Sequence, residues 1–425
     1  MKFEPKLYHL SNGVTVILDP MDIETTYVQI DFFTGAKDEQ PNEYGITHFC
    51  EHMLNKGTTR FPTKKAILDF LDYNGGSTNA STSDVKVSLY GRIIAENLNV
   101  LLDLFADQLN NSLFDEKVLE NERGIVLDEL NRVKNSNADK VYDFIEKTLF
   151  HKFIPNGMSI IGNPETISSF SRKQLLVFVK NRFSASNCLI TISGKIFDTD
   201  ATIKYMENLF KFLPIHVVSQ NNDLTYYPSV AHNNDLKTDN TRLHIFFPAL
   251  WSMDKEHIYQ NICVSFFEDY LMQELKQVLR YENGLVYGAG LSRYGNDMLR
   301  INAIKTEVGP DKIDRVVELA AKTAYKIYSQ DTIKDKDIEK LKCYSRLPNA
   351  NFLENSNSRA TRLSSFYYKM GTMYDFYKDE ELNKSVTVED VIKYTHGYFD
   401  GQISIITQGA DFCADLKQIW IDNFK

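Results

Sequence analysis

The sequence predicts two copies of one fold built from strands and helices. Its 425 residues exceed what one ordinary core encloses, so two domains of about 200 residues each are expected. The predicted elements of the second part parallel those of the first, although the identity between the halves is too weak to establish a repeat. A stretch rich in Asn, Asp, Ser, Pro and Tyr separates the parts. We therefore expect domains at 1–215 and 241–425, joined by a linker at 216–240.

Short strands and helices alternate in the first part. Alternating apolar residues predict strands, and apolar stripes of helical period predict helices. The predicted strands are 14–18, 27–33, 85–89 and 188–193, and the predicted helices are 62–73, 93–110, 115–133, 139–150, 172–181 and 201–212. In the helix at 62–73, Ile67, Leu68 and Leu71 are expected to face the core.

The second part begins with a strand at 243–247 and a long helix at 255–279. Two strands, a helix at 311–329, further helices and a final strand at 403–407 follow. The position equivalent to the first part's motif helix, described below, contains no pair of histidines. One metal site per chain is therefore expected.

Composition excludes several classes of protein. Hydrophobic residues make up 43% and charged residues 25%, as in ordinary globular proteins. No apolar run is long enough for a transmembrane helix, and no leader precedes the first strand, so a cytoplasmic location is expected. The net charge of -9 argues against a nucleic-acid partner. Five widely spaced cysteines fit buried thiols in a reducing compartment.

The segment from His48 to His52 contains the motif His-x-x-Glu-His. In a helix, His48 and His52 lie one turn apart on one face, with Glu51 beside them. Two imidazoles so placed form half of a zinc site, and the carboxylate is close enough to act on a metal-bound water. The alternative is a pair of ordinary histidines on an amphipathic helix. Cys50 lies on the other side of the helix and is expected in the core.

A catalytic zinc site needs a third protein ligand. Glu122 and Glu129 are seven residues apart on the long helix at 115–133, so they share a face. Unpaired carboxylates on a partly buried helix are costly, and a cation would relieve that cost. We assign Glu129 to the metal and expect Glu122 to hold either a metal-ligating imidazole or a nearby donor. Without the histidines, an exposed acidic face would explain this pattern equally well.

These motifs together resemble the pitrilysin/insulinase family of zinc peptidases, which includes the mitochondrial processing peptidases. The resemblance rests on His-x-x-Glu-His followed about 77 residues later by Glu129, and it runs along the whole chain. Its other parts are the opening strand at 10–16, the metal helix and its tail at 45–62, the glycine turn at 75–80, and the segment 279–287 with Arg280 and Tyr287 seven residues apart. Cys50 departs from the family, whose members usually have a larger apolar residue there.

The resemblance implies an α+β fold of two similar sandwich domains. In each domain a mostly antiparallel sheet is covered by helices, and the chain forms a half-clam. It further implies one Zn²⁺ per chain and endopeptidase activity on unstructured peptides in a chamber closed by two subunits. Glu51 is then the general base and Glu122 belongs with the catalytic residues. The alternatives are a non-catalytic peptide-binding scaffold or a subunit of a heterodimeric processing peptidase.

Two further groups of residues are expected to bind substrate. Ser77, Thr78, Asn79, Ala80 and Ser81 form an edge strand that would pair with the peptide. Arg280 would bind the peptide backbone, and Tyr287 would stabilise the oxyanion. Because the chain carries both the zinc motif and this pair, we expect a homodimer in which the pair completes the other subunit's site. Otherwise Arg280 would be a helix end pairing with Glu282, and Tyr287 a core aromatic.

Overall fold

The computed structural model describes residues 2–151, 157–158, 160–221, 224–252, 254–295, 299–329 and 332–425. The chain forms two compact units, and each is discontinuous in sequence. Unit 1 comprises Met1–Ser136, Phe153–Asn222 and Pro348–Tyr374, and unit 2 comprises Asn137–Lys152, Asp223–Leu347 and Asp375–Lys425. The segment Asn137–Lys152 packs with unit 2, although the division predicted at 216–240 places it in the first domain. The segment Pro348–Tyr374 packs with unit 1, although the same division places it in the second domain. The division into functional domains stays a prediction.

The strands and helices are numbered in chain order. The strands are β1 Lys6–His9, β2 Thr15–Pro20, β3 Thr25–Phe32, β4 Gly76–Thr82, β5 Val87–Ile94, β6 Cys188–Gly194, β7 Val230–Asn233, β8 Thr241–Pro248, β9 Ala289–Gly295, β10 Arg300–Val308 and β11 Ser404–Gly409. The helices are α1 Ile46–Leu54, α2 Lys64–Tyr73, α3 Leu98–Asn111, α4 Glu116–Asn135, α5 Asn137–Phe150, α6 Pro164–Ser169, α7 Arg172–Arg182, α8 Thr199–Leu209, α9 Ile258–Lys276, α10 Ile313–Tyr328, α11 Asp335–Glu354, α12 Ser356–Met370, α13 Phe376–Ser385, α14 Val388–Thr395 and α15 Leu416–Asn423.

The sheet of unit 1 has the strand order β1-β2-β6-β3-β5-β4. Its pairs are antiparallel except β2 with β6, which is parallel. β4 pairs only with β5, so it forms an edge of this sheet. A core of buried side chains from the strands and from α1 to α4, α7 and α8 lies on the sheet. This core fixes α1 and α4, which carry the motif residues.

Helix α12 packs on β3 and β6 of the unit 1 sheet. Its Arg359 is fully buried, and its guanidinium donates two hydrogen bonds to the carboxylate of Asp19, one of them 2.6 Å from Nε to Oδ2. The same guanidinium also lies 4.7 Å above the ring of Phe3. Because a buried charge is costly without a partner, this pair helps to specify where α12 docks.

The sheet of unit 2 has the strand order β7-β11-β8-β10-β9. Its pairs are antiparallel except β7 with β11, which is parallel. Matching each strand of unit 2 in chain order with β2 to β6 gives the same order and directions in both sheets. One core of buried residues includes α9, α10, α14 and α15, and a smaller one includes α5. The predicted α+β fold of two similar domains, each with a mostly antiparallel sheet covered by helices, is confirmed.

Several local predictions were wrong. The helix predicted at 93–110 begins five residues later, because Ile93 and Ile94 end β5. The predicted linker contains β7. Leu68 is 45% exposed, whereas Ile67 and Leu71 are buried as expected. Among the cysteines, which are all free, three are buried but Cys343 and Cys413 are exposed.

Within the described part of the chain, no helix combines the length and apolar character needed to span a bilayer. The cytoplasmic location stays a prediction.

Candidate metal centre

Helix α1 presents His48 and His52 on one face, with ring centroids 4.6 Å apart. The helix begins at Gly45, whose φ of 88° lies in the left-handed region, and a Cβ there would stand 2.0 Å from the carbonyl oxygen of Ile161. Only glycine fits such a position. The start of α1 is therefore fixed against the segment containing Ile161.

The buried carboxylate of Glu39 also holds the start of α1. Its oxygens accept hydrogen bonds from the backbone N–H of Gly45 at 2.7 Å and of Thr47 at 2.9 Å. The first N–H groups of a helix lack partners within the helix, and the carboxyl oxygens of Glu39 supply acceptors for two of them. Burial raises the pKa of Glu39 to about 8, and the hydrogen bonds from Thr47 and Gly45 oppose this rise. Glu39 thus acts as a cap for the helix that carries the motif.

Helix α4 brings Glu129 to the two histidines. Its Oε2 lies 3.9 Å from His48 Nε2 and 3.6 Å from His52 Nε2. One donor atom from each residue lies within 4.8 Å of the others. Donor atoms of a tetrahedral zinc ion with bonds of about 2.1 Å are about 3.4 Å apart. The three side chains therefore fit a zinc ion with only small adjustments.

The protonation states also suit a metal. Burial, together with the charge of His52, lowers the pKa of His48 to about 3, so its ring is neutral at physiological pH. A neutral imidazole offers the lone pair that a metal needs. The contact between His48 and Glu129 is therefore a convergence of two metal donors, and not an ion pair.

Glu122 lies behind His52. His52 Nδ1–H donates to Glu122 Oε2 at 3.1 Å, and Lys56 Nζ lies 2.6 Å from Oε1 of the same carboxylate. Burial raises the pKa of Glu122, but the hydrogen bonds from His52 and Lys56 outweigh burial and lower the pKa below its ordinary value. Since an ionised carboxylate only accepts, Nδ1 of His52 carries a proton, and Nε2 is the ring nitrogen that faces Glu129.

Glu51 lies beside this cluster without belonging to it. Burial raises the pKa of Glu51, and the negative charge of Glu129 adds to the rise, although His52 opposes it. Thr82 at the end of β4 donates a hydrogen bond of 3.5 Å to Glu51 Oε2. A half-buried carboxylate with a raised pKa is suited to accept and release a proton.

The predicted substrate strand, Ser77 to Ser81, lies in β4, and α1 and β4 are in contact. Along the strand, Ser77, Asn79 and Ser81 are exposed, whereas Thr78 and Ala80 are half-buried. Its position at the sheet edge confirms the expected edge strand. The pairing of a peptide with it stays a prediction.

Arg280 and Tyr287 lie together in unit 2. The guanidinium of Arg280, in a π-helical extension of α9 at Gln277–Glu282, lies 4.9 Å from the ring centroid of Tyr287. Tyr287 is 88% exposed, which excludes the alternative of a core aromatic. Glu282 accepts a hydrogen bond from Gln277. The expected roles of Arg280 and Tyr287 toward a zinc site stay predictions.

The sequence reasoning missed Glu39, Lys56 and Thr82. Lys56 follows His52 by four residues, and Thr82 lies on the same strand face as Thr78. The spacing of both residues in the sequence could therefore have indicated that they lie near the site. Glu39 had none, because it lies in a polar loop and reaches α1 only through the tertiary fold.

Comparisons with known proteins agree with the geometry. A family model described as insulinase (peptidase family M16) matches residues 15–159, and one described as the peptidase M16 inactive domain matches residues 169–343. An uncharacterized zinc protease of Rickettsia bellii is 31% identical over 293 residues, which cover 68% of this chain and 70% of that protein. The chain belongs to the M16 peptidase family. The predicted resemblance to the pitrilysin/insulinase family is thereby confirmed.

Other relatives support the M16 assignment over different lengths. The uncharacterized zinc protease YmxG of Bacillus subtilis is 26% identical over 363 residues, covering 84% of this chain and 86% of that protein. A probable mitochondrial-processing peptidase subunit beta of Arabidopsis thaliana is 30% identical over 208 residues, covering 49% of this chain but 39% of that protein.

Solved structures share the fold at low identity. The peptidase M16 inactive domain from Pseudomonas fluorescens superposes with a TM-score of 0.80 at 15% identity, covering 97% of this chain and 99% of that one. A chain of complex III2 from Candida albicans superposes with a TM-score of 0.79 at 16% identity, covering 98% of this chain and 99% of that one. These likenesses establish the fold, and the activity has to be argued from the site.

Proposed function

We propose that this M16 protein is a zinc-dependent endopeptidase acting on unstructured peptides. The observation that carries the proposal is the convergence of His48, His52 and Glu129, with Glu51 beside them. Relatives named zinc proteases support the same assignment. Two imidazoles and one carboxylate are a donor set typical of catalytic zinc, which keeps a further position open.

Each residue of the centre has a separate role in the proposed reaction. His48, His52 and Glu129 would hold one zinc ion, which when bound acidifies a water molecule and polarises a peptide carbonyl. Glu51 takes the proton of the attacking water and passes it to the leaving amine. Glu122 keeps a proton on Nδ1 of His52, so that Nε2 would be the nitrogen that holds zinc.

The substrate would bind as an added strand. β4 pairs with β5 on one side only, so its other side is an edge of the sheet. Thr82, the last residue of β4, donates a hydrogen bond to Glu51 and so places this edge beside the proposed base. An extended peptide hydrogen-bonds to such an edge through its main chain, largely independent of its side chains. A segment held in the secondary structure of a folded protein would have to leave it before pairing in this way, which suits a preference for unstructured peptides.

Completion of the site by a second subunit is the further part of the proposal. Tyr287 is exposed and lies beside Arg280 in unit 2, with no core function to account for it. In a homodimer, Arg280 and Tyr287 of one subunit would act at the zinc site of the other, which would give both residues a function. Mixing a Glu51→Gln chain with an Arg280→Ala chain should then restore part of the activity that each lacks alone. Absence of recovery in a mixed dimer would contradict completion in trans.

The central experiment replaces Glu51 by Gln. The variant should retain zinc, because Glu51 is not among the three converging ligands, but cleavage of unstructured peptides should fall by at least about 100-fold. Glu120→Gln is the matched control, since Glu120 is exposed and pairs with Arg123. Unchanged cleavage in the Glu51 variant would refute the mechanism. Peptide binding without cleavage by the zinc-loaded wild type would instead favour the scaffold alternative.

A further inference from the structure

A small cavity opens next to the proposed catalytic residues. It has a volume of about 210 Å³, lies between α1, α2 and β4, and includes Glu51 and His52 in its walls. Ile67 and the exposed Leu68 form its apolar part. This location explains why Leu68 departs from the buried face of α2. A peptide paired with β4 would place a side chain near this cavity.

The polar groups that remain available in the cavity are mainly donors. The Oδ1 of Asn55 already accepts from Gln108 Nε2 at 2.9 Å, and the Oδ1 of Asn79 accepts from the backbone N–H of Ala80 at 2.9 Å. What these two amides offer to a ligand is therefore N–H groups: the NH₂ of Asn79, and the one N–H of Asn55 that is not donated to the carbonyl oxygen of Glu51 at 3.5 Å. A side chain bearing oxygen acceptors complements them.

The charged residues of the cavity also favour a ligand side chain that bears oxygen acceptors. Lys56 is committed to Glu122, at 2.6 Å. Lys64, the first residue of α2, is exposed and forms no ion pair with any residue that the structure describes. Glu51 is the single acidic residue of the cavity wall, and it lies on α1, whereas Lys64 lies on α2. A dication at His48, His52 and Glu129 would offset the charge of Glu51.

We propose that this cavity selects a glutamate or aspartate side chain next to the scissile bond, with Lys64 as the residue that determines this preference. The inference rests on the proposed peptidase function for the placing of the peptide. An acidic side chain would receive hydrogen bonds from the NH₂ of Asn79 and the remaining N–H of Asn55, and it would have a favourable charge interaction with Lys64.

Binding provides a test that does not depend on cleavage. An unstructured peptide is scanned with Glu, Gln and Lys at each position, and its affinity for the zinc-loaded Glu51→Gln chain is measured by fluorescence anisotropy at low ionic strength. At one position Glu should bind about fourfold more tightly than Gln, as expected for a unit charge about 5 Å away in a water-like dielectric. The preference should shrink at high salt.

Charge reversal tests the residue itself. In the Lys64→Glu variant the order should invert at that position, with the Lys peptide bound most tightly, and Lys64→Met should remove the difference between Glu and Gln. The control is Lys65→Glu, because Lys65 is equally exposed and pairs with Asp69 outside the cavity. An order unchanged by Lys64→Glu, or altered as much by Lys65→Glu, would overturn the assignment.

The same peptides separate this proposal from the proposed function. Cleavage by the wild-type chain with equal rates for Glu, Gln and Lys, together with equal affinities, would refute the specificity and leave the peptidase intact. Failure to cleave any peptide, with the Glu preference present in binding, would refute the peptidase and retain the acidic specificity of the cavity.

Discussion

Replacing Glu122 by Gln tests how the metal centre is supported. The change keeps the size of the side chain and removes its charge. Its single carbonyl oxygen accepts from either His52 or Lys56, while the carboxylate accepts from both. The variant therefore leaves one buried donor without its partner, or places an NH₂ group against His52 Nδ1–H. Both outcomes disturb the orientation of a metal-binding imidazole.

The magnitude follows from the geometry. Loss of a hydrogen-bonding partner of a metal-ligating histidine typically weakens metal binding by about 10–100-fold, which corresponds to about 1.4–2.7 kcal/mol. The 3.1 Å contact of Glu122 with His52 is of this kind. We expect the zinc affinity of Glu122→Gln to fall within that range, measured by competition with a chromophoric chelator at pH 7.5.

Two variants serve as controls for this measurement. Glu120→Gln changes an exposed carboxylate of the same helix and should leave the zinc affinity unchanged. Lys56→Met removes the second partner of Glu122 but keeps its bond to His52, so its effect should be smaller than that of Glu122→Gln. A zinc affinity of Glu122→Gln within twofold of wild type would refute the assigned role. Equal losses in Glu122→Gln and Lys56→Met would attribute the effect to packing.

Three further changes should alter stability, measured by urea unfolding. Glu39→Ala removes the cap of α1 and should cost about 2 kcal/mol, with Glu43→Ala as the control. Asp19→Asn strands the buried charge of Arg359 and should cost about 3–5 kcal/mol, much of it recovered when Arg359 is also replaced by Met. Burial lowers the pKa of His244 to about 4, so unfolding takes up a proton between pH 6.5 and 4. Stability should therefore fall by up to about 3 kcal/mol as the pH drops through this window, and less in His244→Phe.

The convergence of the proposed metal ligands could be predicted because their signal is local. His48 and His52 are one helical turn apart, and Glu122 and Glu129 lie on one face of one helix. Such spacings determine which side chains share a face before any tertiary contact forms. Only the expectation that α1 and α4 lie together required a long-range contact. The need of catalytic zinc for a third protein ligand suggested that contact.

The missed features depend on contacts distant in sequence. β7 is a four-residue strand in an Asn-rich segment, and it is specified by parallel pairing with β11 about 175 residues later. The return of α12 to unit 1 depends on Arg359 meeting Asp19, which are 340 residues apart. The start of α3 was misplaced because Ile93 and Ile94 fit a strand and a helix equally well. In each case the local sequence was ambiguous and a remote partner decided the structure.

The two units use one topology in different ways. Helix α9 follows β8 in unit 2 as α1 follows β3 in unit 1, and it carries the buried Glu268 instead of a histidine pair. This carboxylate accepts hydrogen bonds from Arg293 at 2.9 Å, Asn302 at 2.7 Å and Tyr398 at 3.0 Å, and Arg300 lies 3.3 Å away. Unit 2 thus neutralises its buried carboxylate with guanidinium groups of its own chain, whereas unit 1 gathers imidazoles and carboxylates around a position suited to an external cation. The difference in donors gives a physical reason to expect one metal site per chain.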